Sequence, residues 1–172
     1  SRFDLNVSEE LLRLECFVYT HMCPSRELAK LKRWQYRTRG RTSTGIRYEM
    51  RGRRQSGKHD TGLGNSLLSL LMAANTCARL KIPRQQYRLI IDGDDTLLVV
   101  DGRHEATCSE HLVPEYLRYG MPLRIDSVAR AIQDVEWCQG HPLRINDRWV
   151  MVRSPVRAMS RALFSAKYYN LP

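Results

Sequence analysis

The sequence lacks any apolar run long enough to cross a membrane. Its longest candidate, within residues 67–74, is interrupted by Ser69, whereas a transmembrane helix needs roughly 20 apolar residues. The first residues also lack the charged, apolar and small-residue segments of a signal peptide. Because the chain begins at Ser1 without an initiator methionine, we expect it to be part of a longer protein.

Cysteines are few and form no disulfide or metal-binding pattern. There are 5 of them, an odd number, and none are spaced as Cys-x-x-Cys. This favours a reducing compartment over a secreted disulfide framework. His104, Cys108 and His111 could suggest a zinc site, but only one cysteine lies among them and a fourth ligand is not evident. We therefore expect structural roles for these three residues.

Acidic residues are outnumbered by basic ones. The chain has 18 acidic and 28 basic residues and a net charge of +10. This excess predicts attraction to polyanions, with nucleic acid as the first candidate, although a basic protein without such a partner would show the same balance. The 172 residues are 42% hydrophobic, which is enough for the packed core of one ordinary domain.

The spacing of apolar residues predicts five helices. The first begins after Ser8, which can cap it, and it should bury the stripe Val7, Leu11, Leu14 and Val18. The others are expected near residues 27–34, 61–80, 109–119 and 156–168. The fourth could break at Pro114 and should stop at Gly120.

Short β-rich runs predict an antiparallel sheet. One hairpin is expected around the turn at residues 42–45, and another joins residues 87–92 to 96–101. Residues 134–138 and 148–152 are expected to pair across Asn146-Asp147, with an edge strand at 123–126. The order predicts an α+β fold with helices packed on one face of the sheet.

The second hairpin carries carboxylates at its turn, Gly93-Asp94-Asp95. Adjacent carboxylates repel each other unless a cation lies between them. Hard oxygen ligands suit Mg²⁺, which proteins hold through a few carboxylates and substrate phosphates. An ordinary surface turn would also use these residue types, so the turn alone leaves both interpretations open.

A second pattern, SGxxxTxxxN, covers residues 56–65. Thr61 and Asn65 are four residues apart, so they share one helical face, and Ser56-Gly57 supplies a flexible loop before them. Hydroxyl and amide groups in this arrangement could contact a ribose 2′-OH. Capping of the helix by Asp60 or Thr61 is an alternative explanation.

The most basic stretch covers residues 37–54 and precedes this pattern. A solvated surface hairpin and a clamp on RNA or nucleotide phosphates both explain it. Its arginines are Arg37, Arg39, Arg41, Arg47, Arg51, Arg53 and Arg54.

Three segments together resemble conserved blocks of positive-strand RNA virus polymerases, in the same order. Residues 1–4 (SRFD) resemble the end of block A, residues 56–65 block B, and residues 92–95 block C. The tombusvirus-like group is the most similar, because the sequence also has its Val-Ser helix start, its Gly-Ile-x-Tyr hairpin and its Cys-Gln-x-x-Pro block. These are residues 7–8, 45–48 and 138–142.

The resemblance implies a polymerase palm, with a core similar to RNA-recognition-motif and ferredoxin-like folds and part of the fingers. It implies Mg²⁺, for which Mn²⁺ can substitute, with Asp94 as the principal ligand and Asp95 assisting. The implied partners are an RNA template, the nascent strand and ribonucleoside triphosphates. The residues implied in ribose selection are Asp4, Ser56, Gly57, Thr61 and Asn65.

Further roles follow from the same resemblance. The residues implied in RNA or triphosphate binding are Arg47, Arg51, Arg53, Arg54 and Lys58. Cys138 and Gln139 match the primer grip, and Arg124 lies near the basic position of block D, although arginine is a poor proton donor. The implied parts are palm at 1–36, a fingers-type hairpin and block B loop at 37–60, palm at 61–156 and the start of the thumb at 157–172.

The sequence departs from the family pattern in three places. The first acid of block A should lie five residues before Asp4, ahead of Ser1. The fingers block for the triphosphate is also missing, unless the basic hairpin at residues 37–54 does part of its work. Lys58 stands where many relatives have an acid. We therefore expect the isolated chain to be inactive or feeble and to work with other replicase segments (fingers, thumb and upstream region). Those segments would act in the host cytoplasm and would supply any attachment to membrane-associated replication sites.

Two alternative functions are a non-catalytic RNA-binding module and a reverse transcriptase. A non-catalytic RNA-binding module would explain the charge but would not need Asp94 and Asp95 against phosphates. A reverse transcriptase usually has an aromatic residue where this chain has Gly93, and it lacks a ribose-reading residue like Asn65.

Overall fold

The computed structural model describes residues 2–57 and 59–162 and combines α-helices with antiparallel hairpins. The α+β class is therefore confirmed. The helices are α1 Arg2–Asn6, α2 Glu9–Met22, α3 Arg26–Arg33, α4 Thr61–Arg79, α5 Glu105–Leu117 and α6 Pro155–Ala162. The strands are β1 Arg37–Arg41, β2 Arg47–Arg51, β3 Tyr87–Asp92, β4 Asp95–Val100, β5 Gly140–Ile145 and β6 Arg148–Arg153.

The strands form three separate two-stranded sheets, β1-β2, β3-β4 and β5-β6. Within the described residues they do not join into the one sheet that the sequence suggested. Each hairpin turn pairs strands that are adjacent in the sequence, which is the least demanding connection. The central α4 packs against β3 and contacts α2 and α5.

Helix α2 begins as predicted, because the Ser8 side chain accepts a hydrogen bond from the Leu11 backbone N–H at 3.3 Å. Its buried face differs from the predicted stripe. Leu14 is exposed, whereas Glu15 is buried beside Leu11 and Leu12. Glu15 can be buried here because it forms ion pairs with Lys32 and Arg54.

Two apolar clusters lie on α4. The first joins α2 and α4 to the end of α5 and the segment after it, and it contains Val7, Leu11, Leu12, Leu68, Met72, Tyr116 and Met121. The second lies beneath the β3–β4 hairpin and contains Cys77, Ile82, Tyr87 and Cys108. Burial raises the pKa of the Cys77 thiol to about 11, so this thiol behaves as an apolar core group.

Several predicted boundaries shift. Helix α5 begins at Glu105, before the expected residue 109, and continues through Pro114 to Leu117. Gly120 follows with φ of +72°, in agreement with its expected role as a stop. The expected strand at 123–126 is wrong, because these residues form no strand.

The chain divides into two compact units, residues 1–124 and 125–172. In the second unit the turn Asn146-Asp147 is confirmed, with φ of +47° and +63°. Its strands are β5 and β6, so the pairing of 134–138 with 148–152 was wrong. A two-residue turn pairs the residues that flank it directly. The predicted last helix is confirmed to Ala162, and the rest of that prediction lies outside the described residues.

Candidate active site

The carboxylates of the second hairpin lie at a tight two-residue turn. Asp92 pairs with Asp95, so the turn consists of Gly93 and Asp94 rather than the three residues expected. Gly93 has φ of +62° and Asp94 does not have a positive φ, the pattern that requires glycine at the first position of such turns. Asp94 and Asp95 are both exposed, so the turn presents two adjacent carboxylates to solvent.

Helix α4 holds this turn through two serines. The Gly93 backbone N–H donates to Ser66 Oγ at 2.8 Å. The Ser69 hydroxyl donates to the Gly93 carbonyl oxygen at 2.9 Å. The turn is therefore fixed to α4 at the residue directly before Asp94.

The same helix holds Asp4. This carboxylate is 3% exposed, and it accepts a hydrogen bond from Asn65 Nδ2 at 2.8 Å and another from the Ser56 hydroxyl. The expected grouping of these three residues is thus present. Among the described atoms, the buried Asn65 Oδ1 accepts no hydrogen bond.

The loop that carries Ser56 is directed by Gly52 and Arg53. Both have φ of +67°, and the following backbone turns onto the first residues of the chain. Arg53 N–H donates to the Val7 carbonyl at 2.7 Å and Arg54 N–H to the Asp4 carbonyl at 2.9 Å. A Cβ on Gly52 would lie 2.8 Å from the Glu9 nitrogen, so glycine is needed both for the backbone conformation and for the close approach.

A buried ionic cluster lies behind this loop. Glu15 is 0% exposed and pairs with both Lys32 and Arg54, and Lys32 Nζ also lies 2.7 Å from Asp60 Oδ2. A Cβ on Gly64 would lie 2.6 Å from Arg54 Nη1, so α4 packs directly against the cluster. The ionic cluster connects α2, α3 and the residue before α4, and through Arg54 it also holds the loop that carries Ser56.

The electrostatic environment of Asp60 follows from its partners. Burial alone would raise the pKa of its carboxyl group, but hydrogen bonds from Lys32 and Gln35 outweigh burial and lower the pKa to about 2. Asp60 therefore stays ionised at neutral pH. It directly precedes α4, where its negative charge is also favoured by the helix N-terminus.

The remaining predicted block B residues are placed differently. The Thr61 hydroxyl donates to the Gln55 carbonyl at 3.2 Å, which ties the loop to the helix start. Gly57 has φ of +85° with open space around its Cα. Lys58 lies outside the described residues.

The basic residues separate into two groups. Arg47, Arg51 and Arg53 are exposed, so their guanidinium groups face solvent. Arg54 is buried against Glu15, which gives it a structural role instead of a surface contact with phosphates. Arg124 is exposed.

Cys138 and Gln139 form a turn in the second unit. Both have positive φ, +49° and +65°, and Trp137 and Gly140 exchange two backbone hydrogen bonds of 3.0 Å across them. Neither residue is glycine or asparagine, so this turn holds backbone strain of a kind that is concentrated at functional sites.

The donor chemistry of the site fits part of a magnesium centre. Within residues 2–57 and 59–162, His, Cys, Asp and Glu form no cluster of three that could hold a metal. Asp94 and Asp95 nevertheless supply hard carboxylate oxygens, and proteins often hold Mg²⁺ through one or two carboxylates together with substrate phosphates. The zinc cluster at His104, Cys108 and His111 is likewise not formed.

Sequence reasoning missed Glu15, Lys32, Ser66 and Ser69. For Glu15 a signal existed, because it follows Leu11 and Leu12 by four and three residues and so shares their face of α2. The only sequence feature that singled out Ser69 is its interruption of the apolar run at residues 67–74, and no sequence feature pointed to Ser66.

The model of the family described as viral RNA dependent RNA polymerase matches residues 1–170. The chain belongs to this viral RNA-dependent RNA polymerase family. The predicted resemblance to viral RNA polymerases is thereby confirmed, and the relatives described next are of the predicted tombusvirus-like group or related to it.

Curated relatives of this polymerase family are named RNA-directed RNA polymerases. The protein from groundnut rosette virus (strain MC1) is 35% identical over 89% of this chain and 18% of its own length. That from tobacco necrosis virus (strain D) is 32% identical over 96% of the chain and 23% of its own. That from tomato bushy stunt virus (strain Cherry) is 33% identical over 94% and 20%. The chain thus spans about a fifth of these polymerases.

Proposed function

We propose that this chain is the palm core of an RNA-dependent RNA polymerase, which adds ribonucleotides to a nascent strand on an RNA template. The observation that carries the proposal is that α4 holds both acidic segments. Asn65 binds Asp4, and Ser66 and Ser69 bind Gly93, next to Asp94. A polymerase needs acidic groups placed against the reacting phosphates by a fixed scaffold.

We propose that Asp94 is the main Mg²⁺ ligand and that Asp95 assists, with Mn²⁺ able to substitute. When bound, the metal would activate the attacking hydroxyl and neutralise the charge of the triphosphate. The exposed two-carboxylate turn supports this role because proteins often hold Mg²⁺ through one or two carboxylates together with substrate phosphates. We also propose that the β3–β4 hairpin and α4 form part of a palm with a ferredoxin-like core.

The environment of Asp4 supports a role in ribose selection. Its carboxylate is held by Ser56 and Asn65, and Asn65 Oδ1 is a buried acceptor with no donor among the described atoms. A ribose 2′-OH is a donor of the kind that this acceptor lacks. Thr61 and Gly57 would act indirectly, by shaping the loop.

The other assignments complete the proposal. Arg47, Arg51 and Arg53, with Lys58, would contact RNA or triphosphate, and Cys138 and Gln139 would form the primer grip. The parts proposed are palm at 1–36 and 61–156, a fingers-type hairpin at 37–60 and the start of the thumb at 157–172. Work in the host cytoplasm with other replicase segments is part of the same proposal, and no described helix is long and apolar enough to span a membrane.

The test uses a polymerase that contains this chain, with RNA or DNA templates and ribo- or deoxyribonucleoside triphosphates. We expect incorporation on RNA with ribonucleotides and Mg²⁺. Incorporation only of deoxyribonucleotides would instead indicate a reverse transcriptase. RNA binding without incorporation of either would indicate a binding module.

A further inference from the structure

Both backbone polar groups of Gly93 are bound by serines of α4. Ser66 Oγ accepts from its N–H at 2.8 Å, and the Ser69 hydroxyl donates to its carbonyl at 2.9 Å. We propose that Ser66 and Ser69 are positioning residues, which act through the Gly93 backbone to set where Asp94 and Asp95 lie. This inference rests on the proposed polymerase function.

The geometry of α4 makes the pair suitable for this task. Residues three apart share one helical face, so the two hydroxyls reach the same turn from one side. Ser69 is 2% exposed, so little water competes for its hydrogen bond. Gly93 precedes Asp94 directly, and a shift of its peptide groups therefore moves the Asp94 carboxylate.

Asp94 and Asp95 lie at the end of a two-stranded hairpin that pairs with no other described strand, so contacts outside the hairpin decide where this end lies. A two-residue hairpin turn by itself holds only its flanking strands. The two serine hydrogen bonds connect it to a helix of 19 residues, which contributes buried side chains to both apolar clusters.

Helix α4 thereby sets two positions at once. Asn65 fixes Asp4, and Ser66, the next residue, begins the grip on Gly93. Helix α4 therefore determines the distance between Asp4, proposed for ribose selection, and the turn at Asp94, proposed for metal binding. Displacement of a reacting group by about 1 Å can lower a rate by about 100-fold, so two hydrogen bonds at this point can matter for catalysis.

The test compares Ser66→Ala, Ser69→Ala and the double variant in a polymerase that contains this chain. We expect each single change to lower kcat by about 10-fold and the double change by more, with the KM for nucleotide within about twofold of the parent value. Ser66→Thr keeps the hydroxyl and should restore most of the rate. The matched control is Asn75→Ala, which removes a 2.7 Å hydrogen bond to Tyr119 from the far part of α4 and should leave kcat unchanged.

Two readouts do not depend on catalysis. Amide exchange of Gly93 should accelerate in Ser66→Ala but not in Asn75→Ala. Broadening of the Gly93 and Asp94 NMR signals by added Mn²⁺ should require a higher Mn²⁺ concentration in the serine variants. These two measurements decide the proposal even if the parent protein does not incorporate nucleotides, a result that would count only against the proposed function.

Three results would contradict the proposal. Faster Gly93 exchange with unchanged kcat and unchanged Mn²⁺ broadening would show that the serines only attach the hairpin to the helix. An equal loss of kcat in Asn75→Ala would show a general effect on α4. Unchanged amide exchange of Gly93 in Ser66→Ala would show that Ser66 does not protect this N–H, and the proposal would then fail.

Discussion

Asn65 holds the carboxylate of Asp4 through a 2.8 Å hydrogen bond, although the two residues are 61 positions apart in the sequence. The contact brings the first helix of the chain onto α4 and buries Asp4. Ser56 binds the other carboxylate oxygen. Asp4 is thus held from two sides, and Asn65 Oδ1 beside it accepts no hydrogen bond from the described atoms.

The first prediction concerns this acceptor. Replacing Asn65→Ala removes both the grip on Asp4 and the acceptor proposed to meet the ribose 2′-OH. We expect the preference for ribo- over deoxyribonucleotides, measured as a ratio of kcat/KM values, to fall about 10-fold or more. Asn75→Ala on the same helix should leave the ratio unchanged. An unchanged ratio in Asn65→Ala would exclude this residue from ribose selection.

The second prediction concerns the buried cluster. Glu15→Gln leaves Lys32 and Arg54 without their shared anion in the interior, and breaking a buried pair typically costs about 3 to 5 kcal/mol. We expect a loss of about 3 kcal/mol in the free energy of unfolding, measured with denaturant. The control is Glu9→Gln, which breaks an exposed pair with Arg13 and should cost less than about 1 kcal/mol. Equal losses would mean that the cluster contributes no more than a surface pair.

The third prediction concerns pH. The pKa of Asp60 is lowered from 3.8 to about 2 in the folded chain, so its contribution to stability is complete above about pH 4 and is lost as the pH falls toward 2. The difference in unfolding free energy between the parent and Asp60→Asn should therefore shrink over that interval. Because Asp60 is partly exposed, we expect a change of roughly 1 kcal/mol. A difference that stays constant from pH 5 to pH 2 would contradict the ion pair with Lys32.

The fourth prediction contrasts two glycines. Gly52 has positive φ and a Cβ there would meet backbone atoms of residues 7–9, whereas Gly62 lies in α4 with open space around it. We expect Gly52→Ala to destabilise the fold by about 2 kcal/mol or more and Gly62→Ala to stabilise it by up to about 1 kcal/mol. Thermal unfolding measures both. Similar effects of the two changes would mean that the loop after β2 does not depend on Gly52.

Much of this architecture could be predicted locally. The cap at Ser8, the hairpin at Asp94 and the turn Asn146-Asp147 depend on residues within a few positions, and short-range chemistry indicates them. The grouping of Asp4, Ser56 and Asn65 was expected only through family resemblance, because no local rule joins residues 61 positions apart. Glu15 shows the opposite case, since apolar periodicity assigned the buried position to its neighbour Leu14.

The strand errors have a related cause. The turn at Asn146-Asp147 was predicted correctly, but residues 134–138 were predicted as the partner of residues 148–152. The true partner is β5, because a two-residue turn pairs the residues that flank it directly. Likewise, a single sheet was expected because strand patterns do not say which hairpins join. That choice depends on packing partners, and among the described strands the two strands of each hairpin pair only with each other.

We propose that the Asp94 turn takes part in metal-dependent nucleotide addition. The most direct measurement is Mg²⁺-dependent incorporation on an RNA template by a polymerase that contains this chain, compared with its Asp94→Asn and Asp101→Asn variants. Asp101 follows the same hairpin at its other end, where it pairs with Arg103, so its change controls for loss of a carboxylate. We expect incorporation to fall at least about 100-fold in Asp94→Asn and to stay within about twofold of the parent in Asp101→Asn. Equal incorporation by the parent and Asp94→Asn would contradict the account.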